Sequence, residues 1–578
     1  MTKRNLIIPV LLIISLLPVN AQEKKKDAGL KREITLYNPY KPSLPEFKKR
    51  SFLPDMNDTS KVKPSFSYDV KATPFLPEYT ISPIKAAALL SDPLPKLYKS
   101  YINLGFGNYL TPLAELSITN ERSKTGTIGF YARHFSTNGK LELDNGTKAF
   151  AGYMDNDASL FGRRFFRKNV LAGSLDYSGK TRYAYGYSPD IPFYYPPKKD
   201  IRIPYNNIGA KISFSSITLD SADLAYDFNI GFNYFSSEKS MNQRNVSFSG
   251  KMAKSYNEFY IGSGINYDYY GYTDFLAITP KYIASISPFI KKSSELWSFK
   301  LGFEALLDRN MTTTAKFHAY PDVNLSLNIV PSYVSFFAGL SGKLEKNEPL
   351  HVITENPFLV RDGSLYKLPN TSHDIVIFTG LKGNTGIGGN YMLSASYSLI
   401  SDMLFYSNRV IPATILPPDK GNYFSALTDD VDLLNIHGEM SGPVNDKFSF
   451  ISAANLYKYT LSKFDYAWNK SNWDARFGLK YNLRDKIIVG IDLTAQGKRK
   501  LIANGESVGQ LLLTPLDYPP LIYEMPVHFN LNLNAEYRYS KILSFWTKLN
   551  NISNNRYYEW IYYPSQGFLF MLGFTYSM

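Results

Sequence analysis

From about residue 98 to its end, the chain alternates apolar and polar residues one by one over long segments. In one such segment Leu224, Tyr226, Phe228, Ile230, Phe232 and Tyr234 alternate with Asp223, Ala225, Asp227, Asn229, Gly231 and Asn233. The ranges Trp297–Glu304 and Val527–Tyr539 follow the same pattern. Because successive side chains of a strand point to opposite faces, each segment predicts a strand with one apolar and one strongly polar face.

The length of these segments points to a membrane. Strands of soluble sheets usually have about 5–6 residues, whereas these have about twice as many, as a tilted membrane-crossing strand needs. The chain has 45 Tyr and 38 Phe, and aromatic residues gather at segment ends, as in the aromatic girdles of membrane barrels. Lipid cannot hydrogen-bond an open sheet edge, so the sheet must close. For residues 97–578 we predict an all-β fold, a transmembrane antiparallel β-barrel of about 22 strands (range about 16–22), rather than a secreted soluble β-protein.

Composition excludes several other classes. A mean hydropathy of -0.23 and the lack of any run of about 18 apolar residues argue against membrane-spanning helices. The chain has no cysteine, which excludes disulfide scaffolds, thiolate metal sites, cysteine nucleophiles and a lipoprotein anchor. The net charge of +14 comes from scattered Lys and Arg, so we expect lipopolysaccharide phosphates or anionic cargo as partners, and no nucleic acid.

The first 21 residues have the features of a secretory signal peptide. Lys3 and Arg4 precede the apolar run Leu6–Leu17, and Val19-Asn20-Ala21 provides a cleavage site before Gln22. An uncleaved membrane anchor is the alternative, but the apolar run is short for a span. We expect residues 1–21 to be removed and the mature chain to lie in the cell outer membrane.

Residues 22–96 form a proline-rich arm, which we expect in the periplasm. Prolines at short intervals favour extended conformations without internal hydrogen bonds. Aromatic residues stand between the prolines, and we predict that Phe66, Tyr68, Phe75 and Tyr79 anchor the arm. Two interpretations stay open: an unstructured leader, or an ordered arm that packs into the barrel lumen or onto a periplasmic partner.

The last residues alternate as well. The apolar face of this final strand carries Phe568, Phe570, Leu572, Phe574, Tyr576 and Met578. The strand resembles the carboxyl-terminal signal that the outer-membrane barrel insertion machinery reads, although most such strands end in Phe. We expect these six residues to be the insertion signal.

The preceding stretch resembles the last hairpin of TonB-dependent outer-membrane receptors. It runs from Leu549 through Asn550-Asn551-Ile552-Ser553-Asn554-Asn555-Arg556-Tyr557-Tyr558 to Tyr563-Pro564 and Gly567. The family often has Arg after that glycine, where this chain has Phe568. The stretches Ser82–Lys85, Leu94–Tyr98 and Leu104–Tyr109 are similar to plug-less barrels of this kind found in Bacteroidota. The resemblance implies a solute transporter or receptor, and the arm shows neither plug-like strands nor a TonB box.

Turn and loop signals complete the barrel prediction. We expect short periplasmic turns at Asp220–Ala222, Asn257, Asn445-Asp446, Arg484-Asp485 and Ser540-Lys541, and long outer loops at Ser188–Asp200, Asn347–Ser364, Asn408–Asp429 and Leu501–Met525. The loop 511–523 is unusually apolar. Its Leu511, Leu513, Leu516, Tyr518, Leu521 and Tyr523 form either a lid or partner surface, or a loop that packs on its own neighbours.

Candidate chemical sites are few. No two of the six histidines have metal-ligand spacing, and His373-Asp374 reads better as polar strand residues than as part of a protease. Asp155-Asn156-Asp157 reads better as an ordinary loop than as a calcium site. We therefore expect no catalytic site, no metal and no cofactor.

Three functions remain open at this point. The first is a transporter or receptor whose lumen is blocked by the arm or by inward loops. The second is a structural subunit of a multiprotein outer-membrane assembly or secretion complex, with other outer-membrane or periplasmic proteins as partners. A barrel enzyme is the third, and it lacks a supporting set of residues.

Overall fold

The computed structural model describes residues 98–578 apart from 121–122, 187–196, 218–222, 238–240, 273–279, 311–314, 362–363, 387, 411–421 and 504–520. The expected signal peptide and arm, with Phe66, Tyr68, Phe75 and Tyr79, lie outside these residues. So do Leu511, Leu513, Leu516 and Tyr518 of the apolar loop.

Nearly all of the described chain is β-strand. The first strands are β1 (Ser100–Gly107), β2 (Thr111–Thr119), β3 (Gly126–Thr137), β4 (Lys140–Glu142), β5 (Lys148–Phe150), β6 (Tyr153–Phe165), β7 (Asn169–Tyr183), β8 (Arg202–Ser216), β9 (Ala225–Ser237), β10 (Asn242–Tyr256), β11 (Phe259–Tyr272), β12 (Lys281–Ser293), β13 (Trp297–Arg309) and β14 (Lys316–Val330). The others are β15 (Val334–Glu345), β16 (Thr371–Asn384), β17 (Asn390–Val410), β18 (Asn422–Pro443), β19 (Phe448–Leu461), β20 (Trp473–Leu483), β21 (Ile487–Gln496), β22 (Arg499–Ala503), β23 (Leu521–Met525), β24 (His528–Arg538), β25 (Leu543–Asn550), β26 (Tyr558–Trp560), β27 (Tyr563–Pro564) and β28 (Leu569–Ser577). A short helix, α1 (Pro349–Glu355), and a 3₁₀ turn (Leu365–Lys367) lie between β15 and β16.

The sheet closes on itself. Each wall strand pairs antiparallel with the next, and β1 pairs with β28 from Tyr101 opposite Ser577 to Gly107 opposite Met571. The hairpins β4–β5 and β26–β27 stand apart from the main sheet, and β22–β23 continues the β21–β24 hairpin, so the wall has 22 strands. The predicted antiparallel barrel of about 22 strands is confirmed.

The two faces of the wall follow the sequence alternation. Large apolar side chains are exposed on the outer face; Ile230 in β9 is 57% exposed, and Phe232, two residues on, is also exposed. The polar side chains between them point inward, where they form ion pairs across neighbouring strands. Arg133 lies 3.2 Å from Glu115, and Arg182 lies 2.6 Å from Asp155. An apolar exterior around a polar lumen is what lipid on one side and water on the other require.

One end of the barrel carries short turns. Asn257, Arg484 and Asp485 have φ values of 53°, 53° and 55°, and such left-handed conformations close tight hairpins. The Asn445 Oδ1 atom accepts hydrogen bonds from the backbone N–H groups of Lys447 and Phe448, at 2.9 and 3.0 Å. The predicted turn Asp220–Ala222 lies outside the described residues.

The other end carries the long connections, and two predicted loops there are wrong in extent. Within Asn408–Asp429, β17 continues to Val410 and β18 begins at Asn422. Within Leu501–Met525, β22 continues to Ala503 and β23 begins at Leu521. In both regions the alternating residues pair with each other. The hairpins therefore continue beyond the membrane-spanning part of the wall. In the described part of the chain, no helix is both long and apolar enough to cross a membrane.

Candidate functional site

Two connecting segments fold inward at the long-loop end, residues 346–370 and 551–568. With the strand ends they contact, they form what we call the mouth layer. Tyr563 shows how far the layer reaches. Its ring packs edge-on against Tyr185, which follows β7, with centroids 5.1 Å apart. Its hydroxyl donates to the Asn422 carbonyl oxygen in β18, at 3.1 Å. These strands are eleven positions apart in the ring of 22, so the layer joins opposite sides of the mouth.

Asparagine side chains shape the segment 551–568. Asn551 and Asn554 have φ values of 51° and 50°, a conformation that asparagine tolerates better than most residues. The Asn551 Oδ1 atom accepts the backbone N–H of Asn555 at 3.1 Å, and its Nδ2 donates to the Asn555 carbonyl oxygen at 2.9 Å. Asn554 Oδ1 accepts the Phe568 N–H at 2.8 Å. The Asn-rich motif is therefore a self-bonded corner that directs the chain across the mouth.

A buried ion pair fixes the segment 346–370 to the wall. Lys281 Nζ, at the start of β12, lies 3.5 Å from Glu348 Oε1, and both side chains are almost fully buried. Tyr272 at the end of β11 donates its hydroxyl to the other Glu348 oxygen. Asn370 Nδ2, at the far end of the segment, donates to Asp308 Oδ2 at 3.0 Å. Both ends of this inward segment are thus held by polar groups that the wall buries.

Aromatic rings form the centre of the layer. Phe358 stacks on Tyr563 with centroids 3.7 Å apart and an interplanar angle of 17°. Trp560 packs edge-on against Tyr406 and Phe424, at 5.2 and 5.3 Å. The surrounding buried cluster draws residues from six separate parts of the chain, including Ile201, Phe235, Val352 and Leu501. Burial of this kind contributes about 1.5–3 kcal/mol for each large apolar side chain, so the layer is a small hydrophobic core of its own.

A cavity of about 530 Å³ lies where the mouth layer meets the inner wall. Its lining is rich in aromatic rings, amides and charged groups: Tyr153, Tyr183, Tyr185, Tyr205, Phe358, Tyr557, Trp560, Tyr563, Asn530, Asn550, Asn551, Gln566, Lys180, Arg182, Glu355 and Glu559. A volume of this size suits a small organic ligand, and convergent polar groups can fix its orientation.

Most charges around the cavity are already compensated. Arg182 pairs with Asp155 and lies over the Tyr153 ring, 5.2 Å from its centroid. Glu355 accepts the Tyr406 hydroxyl at 2.6 Å. Glu559 differs, because burial raises the pKa of its carboxyl group while nearby Arg499 and Arg182 oppose that shift in part.

One cavity atom has an unmet hydrogen-bonding capacity. Asn530 Oδ1 is buried and has no hydrogen-bond partner in the structure. Because a buried polar atom without a partner costs free energy, such an atom in a cavity wall is a natural contact for a ligand or a bridging water.

The predicted site residues fall in several places. Phe570, Leu572, Phe574 and Met578 are exposed on the outer face of the barrel at β28, with Phe568 and Tyr576 half-buried on the same face. Tyr523, predicted in a loop, lies in β23 and accepts a hydrogen bond from the Tyr562 hydroxyl at 2.8 Å. Leu521 begins the same strand. The Tyr523 contact joins β23 to the mouth layer, and residues 504–520 lie outside the described residues.

The carboxylates considered in the sequence have structural partners. Asp155-Asn156-Asp157 lies in β6 and not in a loop, so that expectation was wrong. Asp374 accepts the hydroxyls of Ser372 and Ser401, each at 2.6 Å. Asp429 is fully buried and accepts the backbone N–H groups of Lys463 and Phe464. These groups therefore hold strands and loops together.

Sequence reasoning allowed for inward loops but did not locate the mouth layer or its cavity. The Asn-rich motif marked the corner of the segment 551–568, but nothing local showed that Tyr563 would meet Phe358, more than 200 residues away. Lys281 and Glu348 each look like ordinary charged residues at strand and loop ends. The inward course of the segment 346–370 brings them together.

Comparisons with known proteins support the fold alone. No family model and no curated protein sequence matches this chain. Among solved structures, the copper transporter OprC is 12% identical, with a TM-score of 0.57, over 84% of this chain and 82% of that one. The FrpB iron transporter from Neisseria meningitidis is 11% identical, with a TM-score of 0.61, over 84% and 83%.

A third solved structure extends the comparison. The pyoverdine outer membrane receptor FpvA from Pseudomonas aeruginosa is 11% identical, with a TM-score of 0.60, over 84% of this chain and 79% of that one. The closed 22-strand antiparallel barrel therefore matches the barrels of TonB-dependent outer-membrane receptors.

Proposed function

We propose that this chain is an outer-membrane transporter or receptor whose solute binds in the cavity of the mouth layer. The observation that carries the proposal is the layer itself, because loops from separate parts of a 22-strand barrel meet and line a cavity of about 530 Å³. The fold supports it, since the similar structures include a copper transporter, an iron transporter and a pyoverdine receptor.

The arrangement implies a sequence of events. A solute that arrives from the long-loop side would contact the aromatic rings and the free acceptor Asn530 Oδ1, and would displace water from the cavity. Passage would then require the contacts of Tyr563 with Tyr185, Phe358 and Asn422 to open. The polar inner wall offers a hydrated path beyond the layer. In this mechanism the mouth layer is both the binding site and the gate.

Location and partners follow from the same proposal. The signal peptide would direct the chain out of the cytoplasm, and the apolar outer wall would contact outer-membrane lipid and lipopolysaccharide. The final strand from Phe568 to Met578 would be read by the barrel insertion machinery. We propose that the arm (residues 22–96) is periplasmic, with Phe66, Tyr68, Phe75 and Tyr79 as its anchors.

Opening the layer by substitution tests the gate. We expect the double substitution Tyr563→Ala and Phe358→Ala to raise the conductance of the chain lacking residues 23–95 in planar bilayers. The matched control is Tyr256→Ala, because Tyr256 is exposed at the short-turn end. Heat-modifiable migration on gels verifies that each barrel is folded. Equal conductance of the double variant and its parent would contradict a gate at this layer.

A structural role in a multiprotein outer-membrane complex is the second candidate. The β22–β23 hairpin extends past the wall and exposes Ile522, which is 53% accessible and next to the predicted apolar surface. Such an apolar projection suits a partner protein. Purification from native membranes in mild detergent distinguishes the two, because stoichiometric co-purifying proteins favour the complex and a lone barrel favours transport.

A further inference from the structure

Two glycines stand side by side on the outer face of the wall, in neighbouring strands. Gly162 in β6 pairs with Gly173 in β7. The next partners in the same row are Ile128 in β3 and Ile212 in β8, and their side chains are 62% and 59% exposed. The row therefore has a large apolar side chain at each end and no side chain on the two strands between them.

This gap forms an apolar groove of about 360 Å³, which we call the glycine groove. Its main lining residues are Ile128, Leu160, Gly162, Gly173, Leu175 and Ile212. A Cβ atom on Gly162 would lie 3.4 Å from its nearest neighbour and one on Gly173 would lie 3.5 Å away, which is ordinary contact distance. Packing of the wall therefore does not require glycine at either position, and the space is open to a molecule outside the chain.

The glycine groove lies close to the short-turn end of the barrel. Phe214 stands two residues beyond Ile212 in β8, on the same face and nearer to the turn. Its ring packs on Tyr226 with centroids 5.6 Å apart, and Tyr226 packs on Phe228 at 5.8 Å. Rows of aromatic rings mark the boundary between hydrocarbon and headgroups. The groove is therefore at the depth of acyl chains, just inside the headgroup layer of one leaflet.

Three cationic residues lie between the groove and the end of the barrel. Arg164 follows Gly162 by two residues on the outer face, about 7 Å along the strand, and Arg167 and Lys168 lie in the turn to β7. All three are exposed, and within the described residues none has an ion-pair partner. Asp223, in the next turn along this end, pairs with none of them. A phosphate group at the membrane surface would supply the missing negative charge.

We propose that a phospholipid with a negatively charged headgroup binds here, with one acyl chain in the glycine groove and its phosphate beside Arg164, Arg167 and Lys168. Clusters of basic residues at a membrane surface attract anionic lipids, and Arg and Lys side chains extend along apolar surface to reach the headgroup level. The lipid belongs to the leaflet at the short-turn end, which we expect to be the periplasmic one. This site does not depend on the transport proposal.

The chain contains a matched control for each half of this site. Gly438 in β18 also lies on the outer face, opposite the exposed Leu393, and a Cβ atom there would have 3.8 Å of clearance. Gly438→Leu is therefore the bulk control. Lys447, Arg484 and Lys486 are three exposed cations in turns at the same end, also without ion-pair partners among the described residues. Their joint substitution by Gln is the charge control.

The test is native mass spectrometry of the full purified chain in mild detergent, with phosphatidylglycerol or phosphatidylethanolamine added at equal concentration. We expect one phosphatidylglycerol to be retained at least tenfold better than phosphatidylethanolamine. Joint substitution of Arg164, Arg167 and Lys168 by Gln should remove this preference, because each basic residue near an anionic lipid contributes about fivefold. The charge control should keep the preference of the parent.

A second variant tests the groove without touching the charges. Gly173→Leu fills the groove, and we expect it to lower retention of phosphatidylglycerol at least tenfold, whereas the bulk control should bind like the parent. Heat-modifiable migration verifies that each barrel is folded. Equal retention of the two lipids by the parent, or an equal loss in either control, would overturn the proposal. A dimer of the parent that Gly173→Leu dissociates would also overturn it, because the groove would then hold a second copy of the chain.

Discussion

The barrel wall and the mouth layer are built from the same kinds of residue by different means. In the wall, each strand is defined by local alternation, and its apolar residues face outward, as Ile230 and Phe232 do. In the layer, the apolar residues face inward and find partners far along the chain, as Tyr563 does with Phe358. The polar face of the wall contacts water and its apolar face contacts lipid, whereas the apolar groups of the layer are buried in protein.

This difference implies that the wall is fixed while the layer can open. The wall is held by a continuous ladder of backbone hydrogen bonds that passes through β1 and β28, and it cannot open at one place without exposing an edge. The layer is held mainly by side chains, including one buried ion pair and a few stacked rings. Local opening is therefore far easier in the layer than in the wall, which is what a gate in a fixed channel requires.

The strongest test of the wall is removal of its closing residues. We expect deletion of Tyr576–Met578 to abolish assembly, because Met578 exchanges two backbone hydrogen bonds with Ser100, each 2.9 Å long. Outer-membrane levels and heat-modifiable migration measure the effect. Deletion of residues 23–95 is the comparison, and we expect it to leave insertion intact. Normal levels after the carboxyl-terminal deletion would mean that closure does not depend on these residues.

The second largest effect is expected from breaking the buried ion pair that holds the mouth layer to the wall. Glu348→Ala leaves Lys281 buried without its partner, and loss of one member of a buried ion pair typically costs about 3–5 kcal/mol. We expect faster hydrogen exchange in residues 349–355, while exchange in the wall strands stays slow. The double substitution Lys281→Met and Glu348→Leu should restore much of the protection. Faster exchange throughout the barrel would show that layer and wall are a single cooperative unit.

A smaller effect is expected when a charge is placed on the lipid-facing side of one strand, and the lumen-facing side of the same strand is the control. Ile230 points to lipid and the neighbouring Asn229 to the lumen, near the middle of β9. Ile230→Lys should lower the free energy of unfolding by about 2–4 kcal/mol, as for a charge at the bilayer midplane. Asn229→Lys should change it little. Equal losses in urea-induced unfolding in lipid vesicles would argue against the assignment of the faces.

The smallest predicted effect concerns the cavity carboxyl group. Burial raises the pKa of Glu559, so the folded chain gains stability as Glu559 is protonated. That gain is complete below the unfolded pKa and is lost as pH rises through the folded pKa. Glu559 is still exposed to water on one side, and solvent screening keeps such electrostatic effects small. Glu559→Gln should therefore stabilise the layer only slightly at pH 7 and flatten its pH dependence. The exposed Glu142→Gln is the control, and thermal melts between pH 4 and 8 would detect a difference.

Much of the wall could be predicted from sequence and little of the layer could. Alternation around Ile230 or Phe529 specifies a strand and its two faces without any other part of the chain. The predicted loop Asn408–Asp429 failed, because apolar alternation there continues into a hairpin that serves the layer and not the membrane. The corner at Asn551 was recognisable by resemblance. The contacts of Tyr563, further along the same segment, with Tyr185 and Asn422 depend on closure of the ring, which no local pattern encodes.

The central claim is that the mouth layer closes the channel, and single-channel conductance of the chain lacking residues 23–95 tests it most directly. With the arm removed, an intact layer should keep the pore closed in planar bilayers. Substitution of Tyr563 and Phe358 by Ala should then produce open channels. A pore that already conducts fully with the layer intact would contradict the account, because the closed mouth would then exclude nothing.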